Sequence, residues 1–462
     1  MNPITIPNIS IPTIGIPTIG IPSVGFPSAS GGGGLSWPAG MKEHIKAIYD
    51  PKKQGITNFD VIESYTEDFT TWRYLDSRGI ATITGSTIHI TEAKSIQGIV
   101  EDNKEPYSDI KILVQGVTAD NPLNVRDING TKAVIDKDGV YEFKDNGLYF
   151  GFGFSKVGVV DVTITQLPTS ILKDLSGNGN HAYLYGGKGK LNSGMGLYKV
   201  DFTSWRKSSV QTEVKPDVVK VTPNTSNYLF IQYANSVEIP SYKIKVIGLG
   251  DNVLKYQYAT ENGRKEINIV EGENELPTSI KVSNDYQIGY RLTPGTSVFT
   301  ITQIPDYPDQ LCYDGKMYAV CYGFPILTDY TVMADRTWFD KEEYSAFVSN
   351  SLGGMEEPGN GAFSVEVKSL DSFTVMSFGS LTSISTPKKG ITYQTKQSYN
   401  GISINVGTRE SNDVLTLGGR YYNKNDNNAG NLWNGCHGKI IIADRSFTED
   451  EITWLKDNWK KI

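Results

Sequence analysis

Cysteine and histidine are scarce in this chain, basic charge is in deficit, and long apolar runs are missing. Three cysteines, Cys312, Cys321 and Cys436, occur in 462 residues. An odd count in so long a chain describes no disulfide framework and reads as reduced, buried thiols of a protein assembled in cytosol. The four histidines, His44, His89, His181 and His437, show no zinc-type spacing. Cys436 and His437 are adjacent, which points their side chains to opposite faces of a strand. A net charge of −7 and a pI near 5.4 argue against the clustered basic surface that nucleic acid requires. No apolar run approaches the roughly 18 residues of a transmembrane helix. No charged residue precedes Lys42, so a secretory signal with its basic leader is not expected.

What is present favours strands. Apolar residues make up 38% and aromatics 11%, with 26 Tyr, enough to build real cores. Gly at 47 and Pro at 21 supply many turns, which suits short strands rather than long helices. The length fits two to four domains.

The first 38 residues stand apart. Prolines recur at positions 7, 12, 17, 22 and 27, each preceded by Ile6, Ile11, Ile16, Ile21 or Phe26. The first four are followed two residues on by Ile9, Ile14, Ile19 or Val24. Proline at this density forbids a helix and pushes each preceding residue into extended or polyproline geometry. Extended at about 3.1 Å per residue, the segment to Pro27 reaches on the order of 80 Å. A flexible linker is usually polar, whereas this repeat carries isoleucine twice in most units, so the arm is expected to pack on something. The candidates are copies of itself in a homotrimer, or a groove on a larger assembly. Gly31 to Gly34 form a joint before the folded part.

Beyond a connector at 39–67, the chain repeats itself. DFTTWR at Asp68–Arg73 recurs as DFTSWR at Asp201–Arg206, and IKILVQGV at Ile110–Val117 parallels YKIKVIGL at Tyr242–Leu249. Asn129-Gly130 parallels Asn262-Gly263, and VTITQLP at Val162–Pro168 parallels FTITQIP at Phe299–Pro305. Four matches in one order indicate duplication. Alternating apolar residues such as Ile110, Ile112 and Val114 make each copy, 68–168 and 201–305, a small antiparallel β-sandwich. Asn129-Gly130, Asp138-Gly139 and Asn262-Gly263 suit hairpin turns.

Copy two interrupts a third unit, made of 169–200 and 306–462. Strand-like runs cover Met317–Tyr322, Thr331–Asp335, Ala362–Val367, Phe373–Phe378, Ile391–Tyr393 and Lys439–Ala443. The chain closes on SFTEDEITWLKDNWKK, where Thr448 and Glu451 have capping-box spacing and Phe447 and Ile452 that of a hydrophobic staple. Ile452, Leu455 and Trp459 line one face, so the helix should dock on a sheet. Asp174–Tyr185 should pair or pack with Lys439–Ala443, bringing both ends of the insertion together.

DLSGNGNHA at Asp174–Ala182, LTLGGRYY at Leu415–Tyr422 and GCHGKIIIADRSFTEDEI at Gly435–Ile452 resemble the opening and closing elements of the concanavalin-like or laminin-G-like jelly roll. Together with DPKKQGITN at Asp50–Asn58 and SGMGLYKVDFTSW at Ser193–Trp205, they are similar to virion fibre or decoration proteins of crAss-like Bacteroides phages. The resemblance implies an all-β virion protein, made in the host cytoplasm. It also implies a trimeric fibre whose arm meets a capsid or tail protein and whose outer domains contact host surface glycan. A secreted or surface carbohydrate-binding protein of a gut bacterium is the alternative.

The jelly-roll lineage includes glycosidases with an E-x-D-x-(x)-E strand, and no such pattern occurs. Glu342-Glu343 and Glu356-Glu357 are adjacent pairs that point apart. There is no G-x-S-x-G elbow, and neither Gly151-Phe152-Gly153 nor Gly187-Lys188-Gly189 has a phosphate-loop setting. No catalytic residue, cofactor or metal is therefore expected. For glycan, Tyr421, Tyr422, Asp426 and Trp433 in the segment Arg420–Trp433 are the candidates, set against a polar hairpin whose aromatics pack at its base. Asp174, Asn178 and Asn180 carry oxygens suited to calcium, which an Asx-Gly turn explains more simply.

Overall fold

The structure is a computed structural model. It describes residues 35–57, 63–74, 79–93, 99–101, 109–127, 130–144, 150–186, 191–192, 194–207, 211–223, 228–233, 236–339, 345–351, 361–369, 372–423 and 428–462. The fold is all-β, with two small sandwiches and one large, split sandwich.

The duplication is structural. Ten strands run from Arg73–Tyr74 to Gly158–Gln166 in copy one and from Arg206–Lys207 to Phe299–Ile304 in copy two. Numbered in chain order, one sheet reads 1-4-9-6-7 and the other 2-3-10-5-8 in both copies. The shared motifs have local causes. Asp68 and Asp201 each cap a short 3-10 turn by accepting from the backbone N–H two residues on. That turn buries Phe69 and Phe202 against Trp72 and Trp205. The repeated glutamine closes each neck: Gln166 bonds Thr66 and the Glu67 N–H, while Gln303 bonds both polar groups of Val200. Asn262-Gly263 makes the expected hairpin, with Thr260 opposite Gly263. Asp138-Gly139 does not: the strands on either side of it, Gly130–Ile135 and Gly139–Phe143, belong to different sheets of copy one.

Among the described residues the split sandwich has two large sheets, besides the hairpin of Arg420–Asn423 and Asn428–Gly430. One runs Ile171–Leu172, Ala182–Tyr185, Tyr318–Tyr322, Val414–Leu417, Ala346–Ser349, Phe363–Ser369, Ser372–Ser377, Ser380–Ile384. The other runs Met195–Leu197, Asp306–Asp314, Asn434–Ala443, Thr331–Trp338, Lys389–Thr395, Ser398–Tyr399, Ile402–Ser403. Leu197 pairs with Asp306, so the chain leaves for copy two and returns from it on neighbouring strands. Ala182 and Leu184 share a core with Ile440 and Ile442, so the opening segment packs on the closing strand across the sandwich rather than pairing with it.

The expected connector is a correction. Ile45–Tyr49 is a strand of the sandwich and pairs with Asn434–Ala443, Tyr49 opposite Ile440. Its Ala47 and Tyr49 are fully buried in the main core. Asp50 then caps the one-turn helix Pro51–Gln54, which ends at Gly55 with φ 77°, a left-handed position where glycine avoids a Cβ penalty. The terminal helix Glu449–Asn458 carries the complete Thr448–Glu451 capping box. It buries Ile452 and Leu455 against Met333, Ile441 and Phe447.

Among the described residues, copy one docks on the sandwich through the outer face of its second sheet, and copy two shows no such contact. Leu113 and Leu167 join Tyr183, Tyr185, Val320, Val414 and Tyr421 in one cluster. In copy two the corresponding strand alternates buried and exposed, and Lys245 takes the place of Leu113. Lys245 lies opposite Glu273, where copy one has Leu113 opposite Val140. A cross-strand charge pair keeps a sheet face wet, and an apolar pair invites burial.

Candidate functional site

Three places in the fold bear on function: the root of the arm, the turn at Asp174, and the cleft between copy one and the sandwich.

The arm residues Ile6, Ile9, Ile11, Ile14, Ile16, Ile19, Ile21, Val24 and Phe26 lie outside the described residues. Their point of attachment does not. Leu35 and Trp37, assigned from sequence to the arm and its joint, pack on the terminal helix, with the Trp37 ring centroid 5.0 Å from that of Trp454. Beside them is a recess of about 330 Å³ walled by Leu35, Trp37, Ile45, Ile48, Leu175 and Ile462, with Lys42, Glu43 and Lys461. The root of the arm is therefore anchored beside a recess of mixed polar and apolar lining, built from residues 35–48, residues 175–178 and the terminal residues Lys461 and Ile462.

Asp174–Asn180 is a brace. The Asp174 carboxylate accepts from the Ile48, Ser176 and Asn180 N–H groups and from the Ser176 hydroxyl. Asn178 and Asn180 turn their amide N–H groups onto the Ile45 and Lys46 carbonyls. With the Asp174 carboxylate accepting four donors and the Asn178 and Asn180 amides donating to Ile45 and Lys46, the segment is a tight turn that fixes the strand Ile45–Tyr49 in place, the simpler of the two sequence readings. Among the described residues no cluster of His, Cys, Asp or Glu is arranged to hold a metal.

Of the two readings of Arg420–Trp433, the structure has the hairpin, Arg420–Asn423 paired with Asn428–Gly430, and the sugar platform is corrected at two of its residues. Tyr421 and Trp433 are 1% and 0% exposed. Trp433 lies in the core between Phe347, at 4.7 Å between ring centroids, and Tyr313, at 5.4 Å. Trp433 offers no face to a ligand, and Tyr421 reaches only the wall of a cleft rather than forming an exposed platform. The Tyr422 side chain and all of Asp426 lie outside the described residues.

Tyr421 instead walls a cleft that only the tertiary structure creates. Leu113, Gln115, Asp138, Gly139 and Val140 of copy one face Tyr322, Gly323, Asp413, Val414 and Tyr421 of the sandwich around about 300 Å³. The Tyr322 and Tyr421 rings meet edge to face at 6.1 Å. Burial pushes the Tyr322 hydroxyl well above its usual range, so it stays protonated. The lining holds two carboxylates, an amide and two phenols, with no lysine, arginine or histidine. Such a lining can accept hydrogen bonds from a small neutral polyol and is unfavourable to an anion.

A buried carboxylate elsewhere resembles a catalytic group only at first sight. Glu366 spans the sandwich to Arg336, and both are 0% exposed. It accepts from Arg336 Nε at 2.7 Å and Nη2 at 3.0 Å, Trp338 Nε1 at 2.7 Å, and the Thr392 and Tyr399 hydroxyls at 2.8 Å. Five donors saturate it, leaving no lone pair to receive a substrate proton. Sequence reasoning missed this network. FSVEV reads as an alternating strand with its glutamate on the same face as Ser364, but a bulge between Ser364 and Val367, with Glu366 at φ 51°, rotates the side chain inward.

No helix among the described residues is long and apolar enough to cross a membrane. No protein-family model matches the chain, and no curated protein matches it. Among solved structures the chain is similar to Trypanosoma rangeli sialidase in complex with sialic acid, at 10% identity over 84% of each chain and a TM-score of 0.25. It is also similar to Trypanosoma rangeli sialidase in complex with the inhibitor DANA. That match has 10% identity, 83% of this chain and 84% of the other, and a TM-score of 0.22. Scores this low carry no argument about fold or activity.

Proposed function

We propose that the chain is a non-catalytic virion structural protein, a trimeric head or tail fibre or decoration subunit that its N-terminal arm holds to a capsid or tail protein. The observation that carries the reading is the five-residue Ile-Pro period of the arm joined to a root packed on the terminal helix. An apolar arm needs a partner to cover it, and a rooted arm transmits load to the sandwich. Modular β-domains, each with a buried core of its own, suit projection from a particle. This reading involves no cofactor and no reaction; among the described residues the fully buried glutamate, Glu366, is already saturated by structural donors. Deleting residues 1–30 should leave the β-domains folded by circular dichroism and abolish incorporation into particles. Particles carrying the truncated protein at full occupancy would refute the anchoring role.

A second reading is favoured by the cleft between copy one and the sandwich: glycan contact, either at the tip of such a fibre or in a bacterial surface protein. The ligand its lining suits is a neutral hexose, not an anionic sugar. Saturation-transfer NMR with glucose, galactose and mannose should show contact that Asp413→Asn weakens. Equal signals in the variant would remove this reading while leaving the first untouched.

A further inference from the structure

All three cysteines are unbridged and buried, but two of them are placed for more than packing. Cys312 on Asp306–Asp314 lies directly opposite Cys436 on the neighbouring antiparallel strand Asn434–Ala443. The type of pair follows from the ladder. The Cys312 N–H donates to the Gly194 carbonyl at 2.9 Å, on the far edge of its strand. The N–H and C=O of one strand residue point the same way, so Cys312 makes no ladder bond toward Cys436. From the other side, the Asn434 carbonyl accepts from the Phe339 N–H, so Cys436, two residues on, also directs its backbone toward Thr331–Trp338. The two cysteines thus occupy a non-hydrogen-bonded position, where Cα atoms sit about 4.5 Å apart and side chains approach most closely. That spacing falls within the roughly 4.4–6.8 Å that a disulfide spans.

Both thiols lie on the sheet face opposite the core residues Leu311 and Tyr313, and both are 0% exposed. Gln310 is their common neighbour: Cys436 Sγ donates to its side-chain oxygen at 2.7 Å, and Cys312 Sγ approaches its carbonyl at 4.0 Å. Burial, followed by the adjacent Cys436 thiol, pushes the Cys312 thiol well above its usual range. Cys321 has no such mate, because it pairs with Leu415 in the other sheet.

We propose that Cys312 and Cys436 are a disulfide-forming site, a cross-strand bridge that a peroxide or glutathione disulfide closes outside a reducing compartment. This goes beyond the structural reading, since it holds whatever the protein is attached to. With hydrogen peroxide, one thiolate attacks the O–O bond, forming a sulfenic acid and releasing hydroxide. The second thiolate then displaces hydroxide from that sulfur, forming the S–S bond. The two thiols lose two protons and two electrons, and the peroxide leaves as two waters. Burial makes the closure slow in the folded protein and easier while the chain folds. The bridge would tie the strand that returns from copy two to the closing strand of the sandwich.

The test uses the full chain in two arms, peroxide treatment of native protein and refolding in a glutathione redox buffer, followed by denaturing alkylation and peptide mass mapping. The expected result in at least one arm is a Cys312–Cys436 linked peptide pair, with Cys321 the one alkylated cysteine. The melting temperature should rise by several degrees, a gain that dithiothreitol reverses. Cys312→Ser and Cys436→Ser should each abolish the linked pair, and Cys321→Ser should retain it. Three alkylated cysteines in both arms, or a bridge involving Cys321, would overturn the assignment. So would sulfinic or sulfonic acids without a linked pair.

Discussion

Replacing Glu366 by leucine should be among the most damaging single changes in the sandwich. The substitution leaves the Arg336 guanidinium at 0% exposure with two remaining acceptors, the Thr386 hydroxyl at 2.7 Å and the Gly390 carbonyl at 3.5 Å. Breaking a buried pair by removing one partner costs about 3–5 kcal/mol, because the surviving charge is neither solvated nor paired. The Trp338, Thr392 and Tyr399 donors lose their acceptor as well, and each contributes on the order of 1 kcal/mol, not additively. We therefore expect a loss of about 4 kcal/mol or more. Because the three units need not unfold together, the readout is hydrogen exchange by mass spectrometry on Thr331–Trp338 and Phe363–Ser369. The decisive control is Arg336→Met with Glu366→Leu, which removes both charges. A buried pair exchanged for apolar groups of similar volume is often near neutral, so the double variant should recover most of the protection. A single variant that loses under about 1 kcal/mol, or a double variant less stable than the single, would refute the argument that an uncompensated charge dominates.

Two further outcomes are expected. Leu113→Lys with Val140→Glu gives copy one the face that copy two already carries in Lys245 and Glu273. It should cost about 2–3 kcal/mol of docking and enlarge the radius of gyration by small-angle scattering without unfolding copy one; an unchanged profile would show that this contact does not hold the domain. Burial lowers His437 to about 4, with its Nδ1 against the Gly438 carbonyl and its Nε2 against the Tyr313 hydroxyl. Between about pH 6.5 and 4 the unfolded chain binds a proton here that the native protein does not, so stability is full above 6.5 and falls with acidification by about 3 kcal/mol. His437→Gln should lack that part of the slope in urea titrations, and identical slopes would sink the assignment.

Much of the fold was legible because it repeats. Four ordered matches exposed the duplication, and several matched residues have a local reason, the Asp68 and Asp201 caps and the Gln166 and Gln303 necks among them. The terminal helix was equally plain, since a capping box and a staple are written within a few residues. Even the choice of which copy docks stands in the repeat, as Leu113 against Lys245. The strand Ile45–Tyr49 was missed because five alternating residues between turns resemble a connector, and the partner that makes them a strand lies at Ile440–Ala443.

Two of the four glycan candidates, Tyr421 and Trp433, were misplaced for a related reason. Tyr421 and Trp433 sit in a polar stretch, but exposure is not a property of a stretch, and both are enclosed by Tyr322, Phe347 and Tyr313 from elsewhere in the chain. Local sequence determined periodicity, capping, turns and the division into repeats, because these depend on neighbours within a few residues. Tertiary structure alone decided that Glu366 turns inward at a bulge, that Cys312 meets Cys436, and that a polar cleft opens beneath copy one. Each of those depends on register and contact between strands brought together from distant parts of the chain, where a shift of one residue would send every side chain to the opposite face.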